Sequence, residues 1–254
     1  MNIGIAGVSG YTGQILLQIL LHHPNCQIKQ LFSAASVGQP VSEVVPYLTN
    51  LDLVLEALEP SLVSSDLDVL FLALPHGSTH LMMSSLIATH PTLKIIDLSA
   101  DFRLNGVSPY QDVYQFEHGF SDGLDQFIYG IPEIYKTDIQ STSYCAVPGC
   151  YANAIILALY PLSSQKGLTQ SVFIDAKSGV SGAGKSLKST SLFCEVQEST
   201  SAYGTGTHRH MPEIEMVLGS SQILFSPHLV PQNRGILASC YMDNHWALTQ
   251  SDLT

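Results

Sequence analysis

The sequence predicts an α/β protein whose first half is a parallel sheet with crossover helices. Three observations carry that reading. A buried-strand pattern, Asn2-Ile3-Gly4-Ile5-Ala6, passes through a glycine-rich turn into an apolar helix pattern over residues 14 to about 21. Residues 67–74 form a continuous apolar stretch, as strands covered on both faces require. Strands alternate with helix patterns up to about residue 100, the signature of right-handed βαβ units.

In chain order, the first element is the turn Gly7-Val8-Ser9-Gly10-Tyr11-Thr12-Gly13. Between a strand and a helix, such a turn can cradle a pyrophosphate on backbone N–H groups. Gly7, Ser9, Gly10, Tyr11, Thr12 and Gly13 are therefore candidate cofactor contacts. A second strand covers residues 27–32 and ends at Ser33-Ala34-Ala35-Ser36. No acid stands there for a ribose 2′-OH and no base for a 2′-phosphate, so a 2′-phosphate would rely on hydroxyls such as Ser33 and on N–H groups. The 67–74 strand runs into Pro75-His76-Gly77-Ser78-Thr79-His80 and then a helix pattern through His90. That loop belongs at the carboxyl edge of the sheet, where ligands bind, which places Pro75 and His76 near one. The strand over residues 94–98 ends in Ser99-Ala100-Asp101-Phe102-Arg103. Residues 110–129 are aromatic, acidic and broken by glycine, and read as an irregular flap.

The second half is organised around Val147-Pro148-Gly149-Cys150-Tyr151-Ala152-Asn153-Ala154, which precedes an apolar helix candidate over residues 154–162. Pro148 and Gly149 break the backbone. Cys150 then falls at or near a helix N-terminus, where unpaired N–H groups and the helix dipole favour a thiolate, the nucleophilic form. A strand follows over residues 171–176, and another opens at Arg234 and runs through Met242. His208 and His210, two apart in an extended segment, point to one face. One of them can meet Cys150 as acid–base partner, with Glu213 orienting the imidazole. The boundary falls at the cysteine turn, giving domains 1–146 and 147–254.

Composition limits the function classes. The formal net charge is -11 with 10 Lys and Arg, which argues against nucleic acid and anionic membrane surfaces as partners. No apolar run is long enough to span a bilayer. Five irregularly spaced cysteines and a start without a basic leader region suit a reducing cytoplasm. Arg103, Arg209 and Arg234 are the only arginines, and each is a candidate clamp for a substrate carboxylate or phosphate. Two rival motifs were weighed against these. Gly179 to Ser186 satisfies G-x-x-x-x-G-K-[ST], which would make Lys185 a nucleotide-phosphate ligand. Its late position, with no apolar strand ending in Asp after it, argues against an NTPase. His208-x-His210 with Cys150 could hold zinc, yet no C-x-x-C pair supports a site, so no metal is expected.

Taken together, these motifs resemble the N-acetyl-γ-glutamyl-phosphate reductase family, arginine-biosynthesis enzymes related to aspartate-semialdehyde dehydrogenase. The matching residues are the 7–13 turn, Leu98 to Arg103, Val147 to Tyr151, Ser178 to Gly184, Thr207 to Ile214, Pro227-His228-Leu229 and Arg234 to Leu237, in family order. The resemblance implies a Rossmann domain binding NADP (as NADPH), then an α+β catalytic, semialdehyde dehydrogenase-like domain. It implies a small-molecule acyl-phosphate substrate, a homo-oligomer (dimer or tetramer), Cys150 as nucleophile and a histidine of the 208/210 pair as its partner. It also places Ser181, Gly182 and Gly184 in a loop near the nicotinamide, which accounts for the phosphate-loop match. Ala152-Asn153 stand where the family carries Pro-Thr, and Lys185 where it carries Arg. The family continues beyond residue 254. A truncated catalytic domain is therefore expected, starting a helix over residues 249–253 and exposing apolar surface, with low stability or activity. In the extreme this leaves an inactive cofactor-binding remnant.

Overall fold

The alternation of strand and helix patterns becomes a seven-stranded sheet in the computed structural model, which describes residues 1–48 and 51–249. The elements of its first half are β1 (Asn2–Ala6), α1 (Tyr11–Leu21), β2 (Gln27–Phe32), α2 (Val41–Val44), β3 (Leu55–Glu56), β4 (Val69–Leu72), α3 (Thr79–Thr89), β5 (Lys94–Asp97), β6 (Phe127–Tyr129), α4 (Pro132–Ser141) and β7 (Tyr144–Ala146). The strand order is β3-β2-β1-β4-β5-β7-β6, and every pairing is parallel. Both faces are covered. Ile3, Ile5, Leu31 and Val69 join one buried cluster, while Ala6, Phe32, Leu70 and Leu72 join another. Two covered faces explain why residues 67–74 lack polar alternation. β1 lies between β2 and β4, so the chain order reverses there. The loops after β1 and β4 leave the carboxyl edge on either side of that reversal, the position at which open α/β sheets bind ligands.

Two expectations change. α1 starts three residues before the predicted Gln14, because Gly10 is the N-cap and Tyr11-Thr12-Gly13 form the first turn. A glycine inside a first turn hides the helix from propensity. The segment at residues 110–129 is irregular, as expected, with Asp112, Glu117, Asp122 and Asp125 exposed, but its aromatic side chains join the core. Tyr110 is fully buried, its hydroxyl accepts from Leu104 N–H at 2.8 Å, and Phe116, Phe120, Leu124 and Phe127 pack with it. A five-residue π-turn at Tyr110–Tyr114 and a 3₁₀ turn at Ser121–Gln126 carry the backbone, which is why no helical or strand period shows in the sequence.

The chain divides into two compact units, Met1–Pro148 and Gly149–Thr254. The second contains α5 (Cys150–Lys166), β8 (Val172–Ser178), α6 (Phe193–Val196), β9 (Ser201–Ala202), α7 (Met211–Leu218), β10 (Ile223–Leu229) and β11 (Ile236–Tyr241). Its mixed sheet has the order β11-β8-β10-β9, with β8 and β10 parallel and the outer strands antiparallel. Val172, Ile174 and Ala176 are buried on one face, while Phe173, Leu224, Leu237 and Tyr241 are exposed. α5 packs against α7 and β11. It is longer than the expected 154–162 because it begins at Cys150 and continues past Pro161. Apart from Thr249, which is irregular, the helix expected over residues 249–253 lies outside the described residues.

Gly7 has φ +88°, and a Cβ there would lie 2.2 Å from the Ala73 carbonyl oxygen. Gly7→Ala combines left-handed strain with a backbone collision, and is expected to cost at least about 2 kcal/mol, read as a lowered urea midpoint.

Candidate active site

The carboxyl edge of the parallel sheet carries the expected cofactor residues. Gly10 N–H donates to Gly7 O at 3.0 Å and closes the turn. A Cβ on Gly13 would lie 2.2 Å from Gly7 O, so the helix reaches the turn at backbone distance. No side chain caps α1, whose first-turn N–H groups lie at this edge with Tyr11 and Thr12 exposed beside them. This is a cradle a dinucleotide's pyrophosphate fits. Ser33 differs from expectation. It is 3% exposed, and its hydroxyl donates to Ser9 Oγ at 3.2 Å, so it ties two loops together instead of facing outward. Pro75 is exposed, and the His76 Nδ1 accepts from Ala100 N–H at 2.8 Å.

Beneath these loops lies a buried polar group that sequence reasoning passed over. Asp97, Ser99, Asp101 and Thr79 are all fully buried. Asp101 Oδ1 accepts from Gly77 N–H at 2.7 Å. Its Oδ2 accepts from Thr79 N–H at 2.9 Å, Thr79 Oγ1 at 2.8 Å and His80 N–H at 3.2 Å. Asp97 Oδ2 lies 2.6 Å from Ser99 Oγ. Burial pushes the Asp97 carboxyl up to about 7, with Asp101 adding to the rise and Ser99 and Arg103 opposing it. The signal was present: Ser99-Ala100-Asp101 at a strand end is a polar run where the chain should be covered. Only Arg103 had been taken from that run. The structure gives this arginine an immediate task other than clamping substrate. It is 6% exposed, with Nε donating to Val147 O at 2.7 Å and Nη2 to Leu98 O at 3.0 Å.

The second unit brings the expected catalytic residues together. Cys150 is exposed and is the first residue of α5, with Gly149 as N-cap and no capping side chain. His210 precedes α7 and is 6% exposed. Its Nε2 would lie 2.5 Å from a Cβ placed on Gly149, so the imidazole rests on the backbone immediately before the cysteine. Glu213, in the first turn of α7 and fully buried, accepts from Gly149 N–H at 2.8 Å. Its contact with the cysteine turn was not expected; it had been assigned to the imidazole. The histidines are close because of a turn, not an extended strand. His210 N–H donates to His208 Nδ1 at 3.1 Å, and the rings stand 4.7 Å apart, edge to face. Tyr151, Tyr203 and Phe225 surround His208, and burial, assisted by the Arg209 charge, pushes it down to about 4. Tyr203 Oη donates to Tyr151 Oη at 3.2 Å, and Tyr151 Oη to His228 O at 3.1 Å, which fixes the far wall.

Ser181 lies in a 3₁₀ turn, Val180–Ala183, followed by Gly184 at φ +83°. This loop interlocks with the one before β11 through Val180 N–H to Gln232 O at 2.8 Å and Ser181 N–H to Asn233 O at 3.1 Å. No helix begins at Lys185-Ser186, so the nucleotide-phosphate geometry that the motif suggested is not formed. Gly182, Gly184, Arg209 and Arg234 are exposed.

The family model for the semialdehyde dehydrogenase NAD binding domain matches residues 2–142, and that for the semialdehyde dehydrogenase dimerisation domain matches residues 150–254. An N-acetyl-γ-glutamyl-phosphate reductase of Campylobacter jejuni is 45% identical over all of this chain and 74% of its own length. The chain belongs to the N-acetyl-γ-glutamyl-phosphate reductase family. The Clostridium novyi reductase is 41% identical over 95% of this chain and 72% of its own. Aspartate semialdehyde dehydrogenase II of Vibrio cholerae, complexed with ASA, shares the fold at TM-score 0.68 and 14% identity, over 94% of this chain and 73% of that one. The Candida albicans enzyme with NADP does so at 0.68 and 15%, over 99% and 74%. This reductase is thus an oxidoreductase of the semialdehyde dehydrogenase family with a nicotinamide-dinucleotide-binding domain. Among the described residues, no helix is long and apolar enough to cross a membrane.

Two predictions follow from this geometry. Gly149→Ala places a methyl in the His210 ring, and is expected to lower turnover at least a hundredfold while circular dichroism stays native. Asp97 binds its proton more tightly folded than unfolded, so its contribution is full below about pH 4 and lost as pH rises through about 7. Unfolding measured from pH 4 to 8 should therefore show wild type losing up to about 4 kcal/mol relative to Asp97→Asn.

Proposed function

We propose that the enzyme reduces N-acetyl-γ-glutamyl phosphate to N-acetylglutamate semialdehyde and phosphate with NADPH, through a thioester on Cys150. The observation that carries this reading is an exposed cysteine at an uncapped helix N-terminus, directly after a glycine covered by a buried imidazole. Residues 1–146 would bind the dinucleotide and residues 147–254 hold the chemistry. The relatives' names supply the substrate, and a neighbour's bound NADP favours that cofactor over NAD.

The Cys150 thiolate, stabilised by the α5 dipole, attacks the acyl carbon. A C–S bond forms, the C–O bond to phosphate breaks, and phosphate leaves. First-turn N–H groups of α5 stabilise the oxyanion. The dinucleotide, when bound, supplies the hydride that reduces the thioester. His210 in its imidazolium form gives a proton to the oxyanion that hydride addition leaves, and the neutral ring takes it back as the C–S bond breaks, releasing the aldehyde and restoring the thiolate. Between the two histidines, His210 is favoured as base because His208 Nδ1 already accepts a backbone N–H and its ring stays neutral above about pH 4. Arg209 and Arg234, both exposed, are the proposed anion clamps, while Arg103 acts by holding the Val147 carbonyl. Cofactor contacts are proposed for the 7–13 turn, Pro75, His76 and the 181–184 loop. The exposed sheet residues Phe173, Leu224 and Tyr241 suit a homo-oligomer. The free cysteines suit a cytoplasmic setting.

Following NADPH formation from each candidate semialdehyde plus phosphate tests the reading, and N-acetylglutamate semialdehyde should be preferred over aspartate semialdehyde. Cys150→Ser is expected to lose at least a hundredfold, because an alkoxide forms far less readily than a thiolate. His210→Asn should lose a similar factor. His208→Asn, whose Oδ1 replaces Nδ1 as acceptor, should stay within about fivefold with an unchanged pH profile. Near-normal rates for Cys150→Ser remove the thioester route, and a large loss for His208→Asn moves the base to that residue.

A further inference from the structure

Three oxygen–oxygen contacts run in series under the β4 and β5 loops. Asp97 Oδ2 lies 2.6 Å from Ser99 Oγ, Ser99 Oγ 2.9 Å from Thr79 Oγ1, and Thr79 Oγ1 2.8 Å from Asp101 Oδ2. Each contact needs one proton. The two hydroxyls supply two, so the third belongs to a carboxyl group. Asp101 is the wrong holder. Its Oδ1 meets Gly77 N–H, and its Oδ2 meets Thr79 N–H and His80 N–H, so a proton on either oxygen would face a donor. Asp97 meets a main-chain donor only at Oδ1, from Ser99 N–H at 3.2 Å, and its Oδ2 can donate to Ser99.

We propose that Asp97 is a neutral acid and Asp101 a carboxylate, joined in a one-way donor chain through Ser99 and Thr79, and that this chain positions residues 75–80 for the dinucleotide. Burial raising the Asp97 pKa favours the same assignment. Thr79 and His80 N–H belong to the first turn of α3, so Asp101 fills from within the place an anion would take at that helix end. α1 is left as the open helix end at this edge for the dinucleotide's phosphates. The same loop pins His76 through Ala100 N–H, and His118 Nε2–H holds the Asp101 carbonyl at 2.7 Å. The role assigned to the loop rests on the dinucleotide reading above; the proton assignment does not.

Two isosteric variants of the full chain separate the carboxyls. In Asp97→Asn the new NH₂ donates to Ser99 Oγ where the acid O–H did, and the remaining oxygen still accepts Ser99 N–H. NADPH affinity and the hydrogen exchange of amides 77, 79 and 80 should stay within about twofold of wild type. In Asp101→Asn either amide orientation sets NH₂ against a backbone N–H. The NADPH Kd and KM should rise at least tenfold and those amides should exchange faster, while the KM for the semialdehyde stays constant. A purely structural loss would lower the active fraction and leave both KM values unchanged. Equal behaviour of the two variants, or the reverse order, overturns the proton assignment. If Asp101→Asn does not fold, Thr79→Val breaks the middle link and Thr79→Ser restores it; no difference between these two overturns the proposal equally. Exchange needs no dinucleotide. Failure of wild type to bind NADPH or NADH would sink the dinucleotide reading alone, and the exchange asymmetry would still decide the chain of protons.

Discussion

The chemistry of the second unit depends on one missing side chain. At Gly149 the backbone lies against the His210 ring, and any β-carbon would occupy the imidazole's place. Glu213 holds the same residue through its N–H from the first turn of α7. One helix, α7, thus delivers an imidazole at its start and an anchor within its first turn, while another, α5, begins with the exposed thiol of Cys150. Because both groups bear on the residue preceding Cys150, the thiol's surroundings are set by main-chain geometry, which rotates less freely than a side-chain contact would.

The two histidines show how environment divides roles between identical groups. His208 is enclosed by Tyr151, Tyr203 and Phe225, and its Nδ1 is used by the His210 N–H. Desolvation favours its neutral form, and its Nδ1 is committed to the backbone of the turn. The buried carboxyls of the first unit are divided by the same logic. Asp101 gathers four donors beside a helix end that favours negative charge; among the described residues Asp97 is hydrogen-bonded only to Ser99, and burial favours its neutral form.

Much of the candidate site's placement was legible in the chain. The turn before Cys150, the His-x-His pair and Glu213 each rest on residue type and short spacing, which local backbone rules translate into position. The first strands and helices were legible for the same reason, since covered parallel strands and glycine turns leave local traces. The irregular course of residues 110–129 was legible, but aromatic side chains and glycines give no helical or strand period, and only packing against Phe102 and Tyr144 shows that its aromatics join the core. Residue type did not show that the Arg103 guanidinium bonds the Val147 carbonyl 44 residues away.

The sequence by itself determined the order of the first strands and helices, the place of Cys150 at a helix start, and the family to which the chain belongs, all from motifs a few residues long. Tertiary structure alone decided which histidine rests on the cysteine turn, that Glu213 binds that turn's N–H, and that Asp97, Ser99, Thr79 and Asp101 form one hydrogen-bonded series. Apart from the local Asp97–Ser99 contact, those hydrogen bonds join residues 20 to 64 positions apart. Their physical basis, desolvation and the matching of each buried donor to one acceptor, exists only once the chain has closed around them.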